Sequence, residues 1–189
     1  MKKFTLSIMF AICMLALGST EASAQMMKSD NPMVGGAAMY KTKDIVDNAV
    51  NSADHTTLVA AVKAAGLVDT LKGSGPFTVF APVNSAFAAL PAGTVEMLLK
   101  PENKAMLTKI LTYHVVSGKM DSKAIAKAIK KGNGTATLKT VSGGMLKASM
   151  SGSDLILTDE KGGTSKVTIA DVRQSNGVIH VVDTIVMPN

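Results

Sequence analysis

The apolar residues of this 189-residue chain change their period about two thirds of the way along. From Thr42 onwards they recur at helical spacing, as Ile45, Val46, Ala49 and Val50 do. The later segments "TATLKT", "MLKAS", "DLILT", "KVTIA" and "VIHVVDTIV" are short β-rich runs separated by Gly, Ser, Asn and Asp, which predicts meandering strands. Helices followed by strands indicate an α+β fold rather than alternating βαβ units.

The N-terminus has the layout of a bacterial secretory signal. Two lysines precede an apolar run and a group of small residues that is typical of a cleavage site. We therefore predict a signal peptide over residues 1–24, a flexible leader rich in Met and Gly over 25–41, and one domain over 42–189. The expected protein is exported, either to the periplasm or to the extracellular space, and keeps no transmembrane segment after cleavage.

The sole cysteine, Cys13, lies within the predicted signal peptide. The mature chain is therefore expected to be cysteine-free, without a disulfide, a thiolate nucleophile or a cysteine-based metal site. It must be held together by its core alone, which a domain of this length can bury.

The positive charge is spread along the chain, with one cluster of lysines in a predicted helix. The formal net charge is +6 and aromatic residues make up only 4% of the chain, so we expect anionic surfaces rather than nucleic acid as partners. On a helix that Asp121 is expected to cap, four lysines recur at i, i+4, i+7 and i+8, opposite Ile125 and Ile129: Lys123, Lys127, Lys130 and Lys131. This face is a candidate contact for an anionic polysaccharide or lipid headgroup, and the alternative is an ordinary solvated face.

Catalytic signatures are missing from the sequence. It contains no H-E-x-x-H, G-x-S-x-G, S-x-x-K or phosphate-binding loop motif. His180 and Asp183 are three positions apart, so on an extended strand they point to opposite faces and cannot pair directly. We predict that the protein is not an enzyme and has no catalytic residues, cofactor or resident metal site; a hydrolase with a site assembled from distant segments is a remote alternative.

Four methionines suggest a second class of function. Met26, Met27, Met33 and Met39 offer thioether sulfurs, which are soft ligands for Cu(I). A periplasmic carrier of copper, or of a small ligand held in a pocket, is therefore the alternative function.

Three segments resemble the fasciclin domain family. "FTVFAPVNSAF" (77–87) is similar to its first conserved box, "NGVIHVVDTIVMP" (176–188) to its second, and "LTYHVVSG" between them to its tyrosine–histidine motif. The resemblance implies a β-wedge of short strands flanked by N-terminal and central helices. It also implies a role in cell adhesion or matrix contact and no catalytic activity.

The resemblance implies roles for individual residues. The Asp171-Val172 pair stands where an Asp-Ile pair of animal members is implicated in integrin binding, and Tyr113 and His114 match the motif linked to adhesion. These four residues are candidate partner contacts, although Tyr113 and His114 are equally suited to a structural role. Three polar residues of the two boxes are expected to have structural roles in the core: Asn84, as a helix N-cap, His180 and Asp183.

Together these observations predict a non-enzymatic, exported adhesion module. Its expected partner is a cell-surface protein or an anionic glycan or lipid headgroup, and the sequence does not predict its oligomeric state.

Overall fold

The computed structural model of the protein describes residues 31–189. The predicted signal peptide over 1–24 and the first part of the predicted leader lie outside the described residues. Within the described part, the α-helices are α1 (Ile45–Ala49), α2 (Thr56–Ala65), α3 (Val68–Lys72), α4 (Asn84–Ala88), α5 (Thr94–Leu99), α6 (Lys104–Tyr113) and α7 (Ser122–Lys131). Short 3-10 turns, Ala53–His55 and Pro101–Asn103, precede α2 and α6. None of these helices is long and apolar enough to span a membrane.

The strands form a small hairpin and one large sheet. They are β1 (Met33–Val34), β2 (Ala37–Ala38), β3 (Phe77–Pro82), β4 (Val115–Ser117), β5 (Thr135–Lys139), β6 (Met145–Ser151), β7 (Asp154–Thr158), β8 (Thr164–Gln174) and β9 (Gly177–Val182). β1 and β2 pair with each other, and the other seven strands are ordered β4-β3-β9-β8-β7-β6-β5. The pairing is antiparallel throughout, except that β3 and β9 run parallel. The predicted α+β wedge of short strands with N-terminal and central helices is confirmed.

The large sheet curls until its two edges meet. An isolated bridge joins Val116 of β4 to Thr140, which follows β5, and the amide of Val141 donates to the carbonyl of Val115 at 2.7 Å. The sheet is therefore almost a closed barrel, which leaves little unpaired edge for association with other strands.

The central strand β9 separates two apolar cores. All six of its residues are buried, and its alternating side chains face opposite sides of the sheet. Ile179 and Val181 belong to the core beneath helices α1 to α6, whereas Val182 belongs to the core inside the wedge, which α7 closes with Ile125 and Ile129. This burial on both sides explains why the strand reads as a nearly continuous apolar run.

The predicted flexible leader is wrong for residues 31–41. Met33 and Val34 pair with Ala37 and Ala38 in the β1–β2 hairpin, and Val34 and Met39 are buried in the helical core. The hairpin was missed because each strand has only two residues, too few to show a period of two.

Helix capping differs from the prediction at one of the two predicted positions. Asp121 caps α7 as expected, because its carboxylate accepts the amide of Ala124 at 2.9 Å. Asp54 lies inside a 3-10 turn and does not cap α2. Asn84 does not cap its own helix; its side chain accepts from the Thr57 amide at 3.0 Å and donates to the Ala53 carbonyl at 2.8 Å. Half-buried Asn84 thus fixes the start of α2 to α4 and is not a core residue.

Candidate functional site at helix α7

The four lysines of α7 lie on its solvent-exposed side. Ile125 and Ile129 pack the inner side of the helix onto the wedge core, and all four predicted lysines are exposed: Lys123, Lys127, Lys130 and Lys131. None of them forms an ion pair with another residue of 31–189. Lys130 and Lys131 occupy the last turn, where cations are favoured by the helix dipole. We name these four residues the lysine face.

The surrounding chain adds positive charge and little negative charge. Between Lys119 and Lys147 the sequence contains seven lysines and a single acidic residue, Asp121. The Asp121 carboxylate caps α7 and lies 3.6 Å from the guanidinium of Arg173. The acidic group nearest to the lysine face in sequence is therefore already engaged.

Asp171 lies against the N-terminus of α7. It occupies an irregularity in the pairing of β8 with β9 and has a φ of 61°, a left-handed conformation that Asp tolerates better than most residues. Its carboxylate accepts the Ser122 amide at 2.6 Å and the Ser122 hydroxyl. Burial raises the pKa of Asp171, but these hydrogen bonds and the neighbouring positive charge of Arg173 together hold the pKa below its usual 3.8.

His180, on the central strand β9, holds Asp171 and the loop before α7 in place. Its side chain is fully buried and stacks on Phe80 with ring centroids 5.6 Å apart. Nδ1 accepts the Asp171 amide at 3.4 Å, and Nε2 lies 2.9 Å from the Met120 carbonyl, to which it must donate. Burial lowers the pKa of the ring despite the neighbouring carboxylates, so the neutral tautomer protonated at Nε2 joins β8, β9 and the loop before α7.

Ser122, Asp171 and His180 are the residue types of a hydrolase catalytic triad, but the order of their hydrogen bonds differs from that of a triad. A nucleophilic serine must be hydrogen-bonded to its imidazole base, which a carboxylate orients in turn. Here the serine hydroxyl donates to Asp171, and both imidazole nitrogens are engaged by main-chain groups. The arrangement positions α7 and does not activate a nucleophile.

Three of the candidate contacts are buried and are therefore not surface contacts. Tyr113 is fully buried and donates its hydroxyl to the Met145 carbonyl at 2.8 Å, and burial raises its pKa to about 12. His114 accepts the Val186 amide at Nε2, 3.2 Å away, while Nδ1 lies 2.9 Å from the Ile110 carbonyl. Burial lowers the His114 pKa to about 4. Val172 is fully buried, so the Asp171-Val172 pair is not displayed as a binding loop.

Asp183 is not a core group, contrary to the prediction. It is exposed just after β9, and its Oδ1 accepts the Lys166 amide at 2.9 Å and the Thr184 hydroxyl at 3.0 Å. It therefore fastens the ends of β8 and β9 at the surface. His180 in the last strand and Asp183 just after it therefore have separate surroundings, the first in the core and the second at the surface.

The two methionines of the predicted leader that lie within the described residues, Met33 and Met39, do not share a surface. Met33 is 59% exposed and Met39 is 2% exposed, and Met26 and Met27 lie outside the described residues. Within 31–189, no three His, Cys, Asp or Glu side chains are grouped so as to hold a metal ion.

The connection between Asp171 and α7 was missed by sequence reasoning. Ser122 and Asp171 are 49 positions apart, and no local pattern joins a helix start to a distant strand irregularity. The positive φ of Asp171 indicates a special role for this residue, but it is visible only in the folded backbone.

Comparison with known proteins agrees with the resemblance seen in the sequence. The Fasciclin domain family model matches residues 53–188. Protein sll1483 of Synechocystis sp. is 47% identical over 184 residues, which cover 94% of this chain and 93% of that protein. The cell surface glycolipoprotein MPB83 of Mycobacterium bovis is 32% identical over 166 residues, which cover 85% of this chain and 68% of that protein.

A solved structure has the same fold. A FAS1 domain pair from the insect cell adhesion molecule fasciclin I matches with a TM-score of 0.66 at 17% identity. The match covers 76% of this chain and 50% of that one. At this identity the likeness concerns the fold alone.

Proposed function

Because the chain belongs to the fasciclin domain family, we propose that it is a non-enzymatic, exported adhesion module whose lysine face binds anionic groups on a cell-surface glycan. The observation that carries this proposal is the lysine face itself: four exposed lysines on one rigid helix, none of them in an ion pair with another described residue. The cell-surface location named for MPB83 of Mycobacterium bovis supports placement outside the cytoplasm.

The helix is held so that its charges keep a fixed spacing. Asp121 caps its first turn, Asp171 anchors Ser122, and two isoleucines anchor its inner side. Preorganised charges lose less side-chain and backbone freedom on binding than charges on a mobile loop. Asp171 acts in this proposal as a positioning residue and not as a contact.

The expected strength follows from the number of charges. An exposed ion pair contributes about 0.5 kcal/mol, so four contribute about 2 kcal/mol, which corresponds to roughly a thirtyfold change in Kd. Such attraction is screened over about 8 Å at physiological ionic strength. Binding should therefore weaken steeply with added salt.

Titration of surface-immobilised alginate, a carboxylated polysaccharide, tests the proposal, with neutral dextran as control. We expect saturable binding to alginate at low salt, progressive loss towards about 0.5 M salt, and none to dextran. Vesicles containing phosphatidylglycerol form a separate arm, and binding to them without binding to alginate would identify a lipid headgroup as the partner. Salt-independent binding, or equal binding to dextran, contradicts a charge-based contact.

A further inference from the structure

An apolar pocket lies between the helical layer and the sheet, away from the lysine face. Its walls include Val62 and Leu71 from α2 and α3 and Val79 and Ile179 from β3 and β9. It has a volume of about 70 Å³ for the centre of a water-sized sphere. Folded cores contain few voids larger than a water molecule, so this space is a distinct feature of the packing.

The chemistry of the lining disfavours water inside the pocket. Almost all its surface is aliphatic or aromatic, and a cavity without polar partners stays dry and accepts apolar molecules. An engineered apolar cavity of about 150 Å³ binds benzene, so the present pocket matches a slender alkyl segment better than a ring. An alkyl chain that enters it replaces missing van der Waals contacts along the walls.

One exposed lysine belongs to the lining of the pocket. Lys63 is the charged member among the described lining residues, and it is exposed, as is Val141 on the same lining. Lys63 forms no ion pair with another residue of 31–189, and no Asp or Glu is among the residues that line the pocket. A ligand with its tail between the walls therefore meets a positive charge where it emerges.

We propose that this pocket binds an amphiphilic monoanion, an alkyl chain carrying a carboxylate, with the chain between α2, α3 and the sheet and the carboxylate beside Lys63. The site is independent of the lysine face, which lies on α7. Its ligand class follows from the combination of apolar walls and a single cation at the opening.

Calorimetric titration of the purified protein with hexanoate, octanoate and decanoate tests the proposal. Affinity is expected to rise about threefold to fourfold per methylene until the pocket is full. The matching alcohols, which lack the charge, are expected to bind more weakly at each chain length. No saturable binding of any member of either series would overturn the proposal.

Two variants separate the tail from the head. Lys63→Gln should weaken carboxylate binding about twofold to fivefold and leave alcohol binding unchanged, whereas Lys161→Gln, at another exposed lysine, should change neither. Ala49→Leu, at the end of α1, should fill part of the pocket and weaken both series. If Ala49→Leu lowers the melting temperature severely, Val68→Phe on the rim takes its place.

These titrations distinguish an alkyl carboxylate from other occupants of the pocket. Equal binding of acids and alcohols, with no effect of Lys63→Gln, would contradict the role of Lys63. Binding of acetyl-leucine amide in place of both series would identify the pocket as a socket for a protein side chain and overturn the proposal. Alginate binding by Lys63→Gln should remain at the wild-type level, so the adhesion proposal stands or falls separately.

Discussion

The Asp171 carboxylate accepts both the amide and the hydroxyl of Ser122, the first residue of α7. A position that resembles an adhesion contact in the sequence is thus occupied within the fold. Its carboxylate joins the strand next to the central strand to the helix that carries the lysine face. Two features that the sequence presents as separate candidates, Asp171 and the lysines, belong to one structural unit.

Asp171→Ala should lower the free energy of unfolding by about 2–3 kcal/mol. The change removes charge-assisted hydrogen bonds to a helix N-terminus and places Ala at a φ of 61°, where a Cβ is unfavourable. Asp171→Asn is the matched control, because Asn tolerates this conformation and keeps one acceptor oxygen, so it should lose about 1 kcal/mol. Urea denaturation measures both, and an unchanged midpoint for Asp171→Ala would contradict the anchoring role.

His114 should make the fold less stable in mild acid. Burial lowers its folded pKa from 6.5 to about 4, so between these values the unfolded chain binds more protons than the folded one. The free energy of unfolding therefore falls as the pH drops from 6.5 to 4, by about 3 kcal/mol in total from this residue.

The check is urea denaturation at a series of pH values for the wild type and His114→Leu. The variant loses the acceptor for the Val186 amide, so it should be less stable at pH 7, but its stability should decline less towards pH 4. Parallel curves for the two proteins would show that His114 is not the titrating group.

Tyr113→Phe should affect stability and leave adhesion intact. The substitution removes the hydroxyl that donates to the Met145 carbonyl and should cost about 1 kcal/mol, whereas a buried side chain makes no contact with a partner. Thermal melting and alginate binding, measured on the same preparation, separate the two effects. If the Tyr113→Phe protein melts normally but binds alginate more weakly, Tyr113 contacts the partner and the structural role is wrong.

Asn84→Ala should destabilise the protein by about 1 kcal/mol, the usual cost of losing a helix cap. Its side chain satisfies the Thr57 amide and the Ala53 carbonyl at the start of α2. Asp54→Ala is the matched control: Asp54 precedes the same helix but caps nothing there, so its loss should change stability by less than about 0.5 kcal/mol. Equal losses in the two variants would contradict the role of Asn84 at the start of α2.

The sequence predicted the larger elements because their signals are local. Helical spacing, short β-rich runs and the Asp121 cap can all be recognised within about ten residues. The Asn84 cap reaches across 27 positions and the Asp171 anchor across 49, so neither leaves a local pattern. The roles of Tyr113 and His114 stayed open because both residue types occur at surfaces and in cores, and their burial follows only from the packing of α6 against the wedge.

The lysine face is the central feature of the proposed adhesion function, and one comparison of variants tests it. Alginate binding is measured at low salt for the wild type, for Lys123/Lys127/Lys130/Lys131→Gln, and for Lys100/Lys104/Lys109/Lys161→Gln, which removes four exposed lysines elsewhere. We predict that the first variant weakens binding roughly thirtyfold and that the second stays within about threefold of the wild type. Equal losses in the two variants would mean that net charge alone attracts the glycan, and would contradict a binding surface on α7.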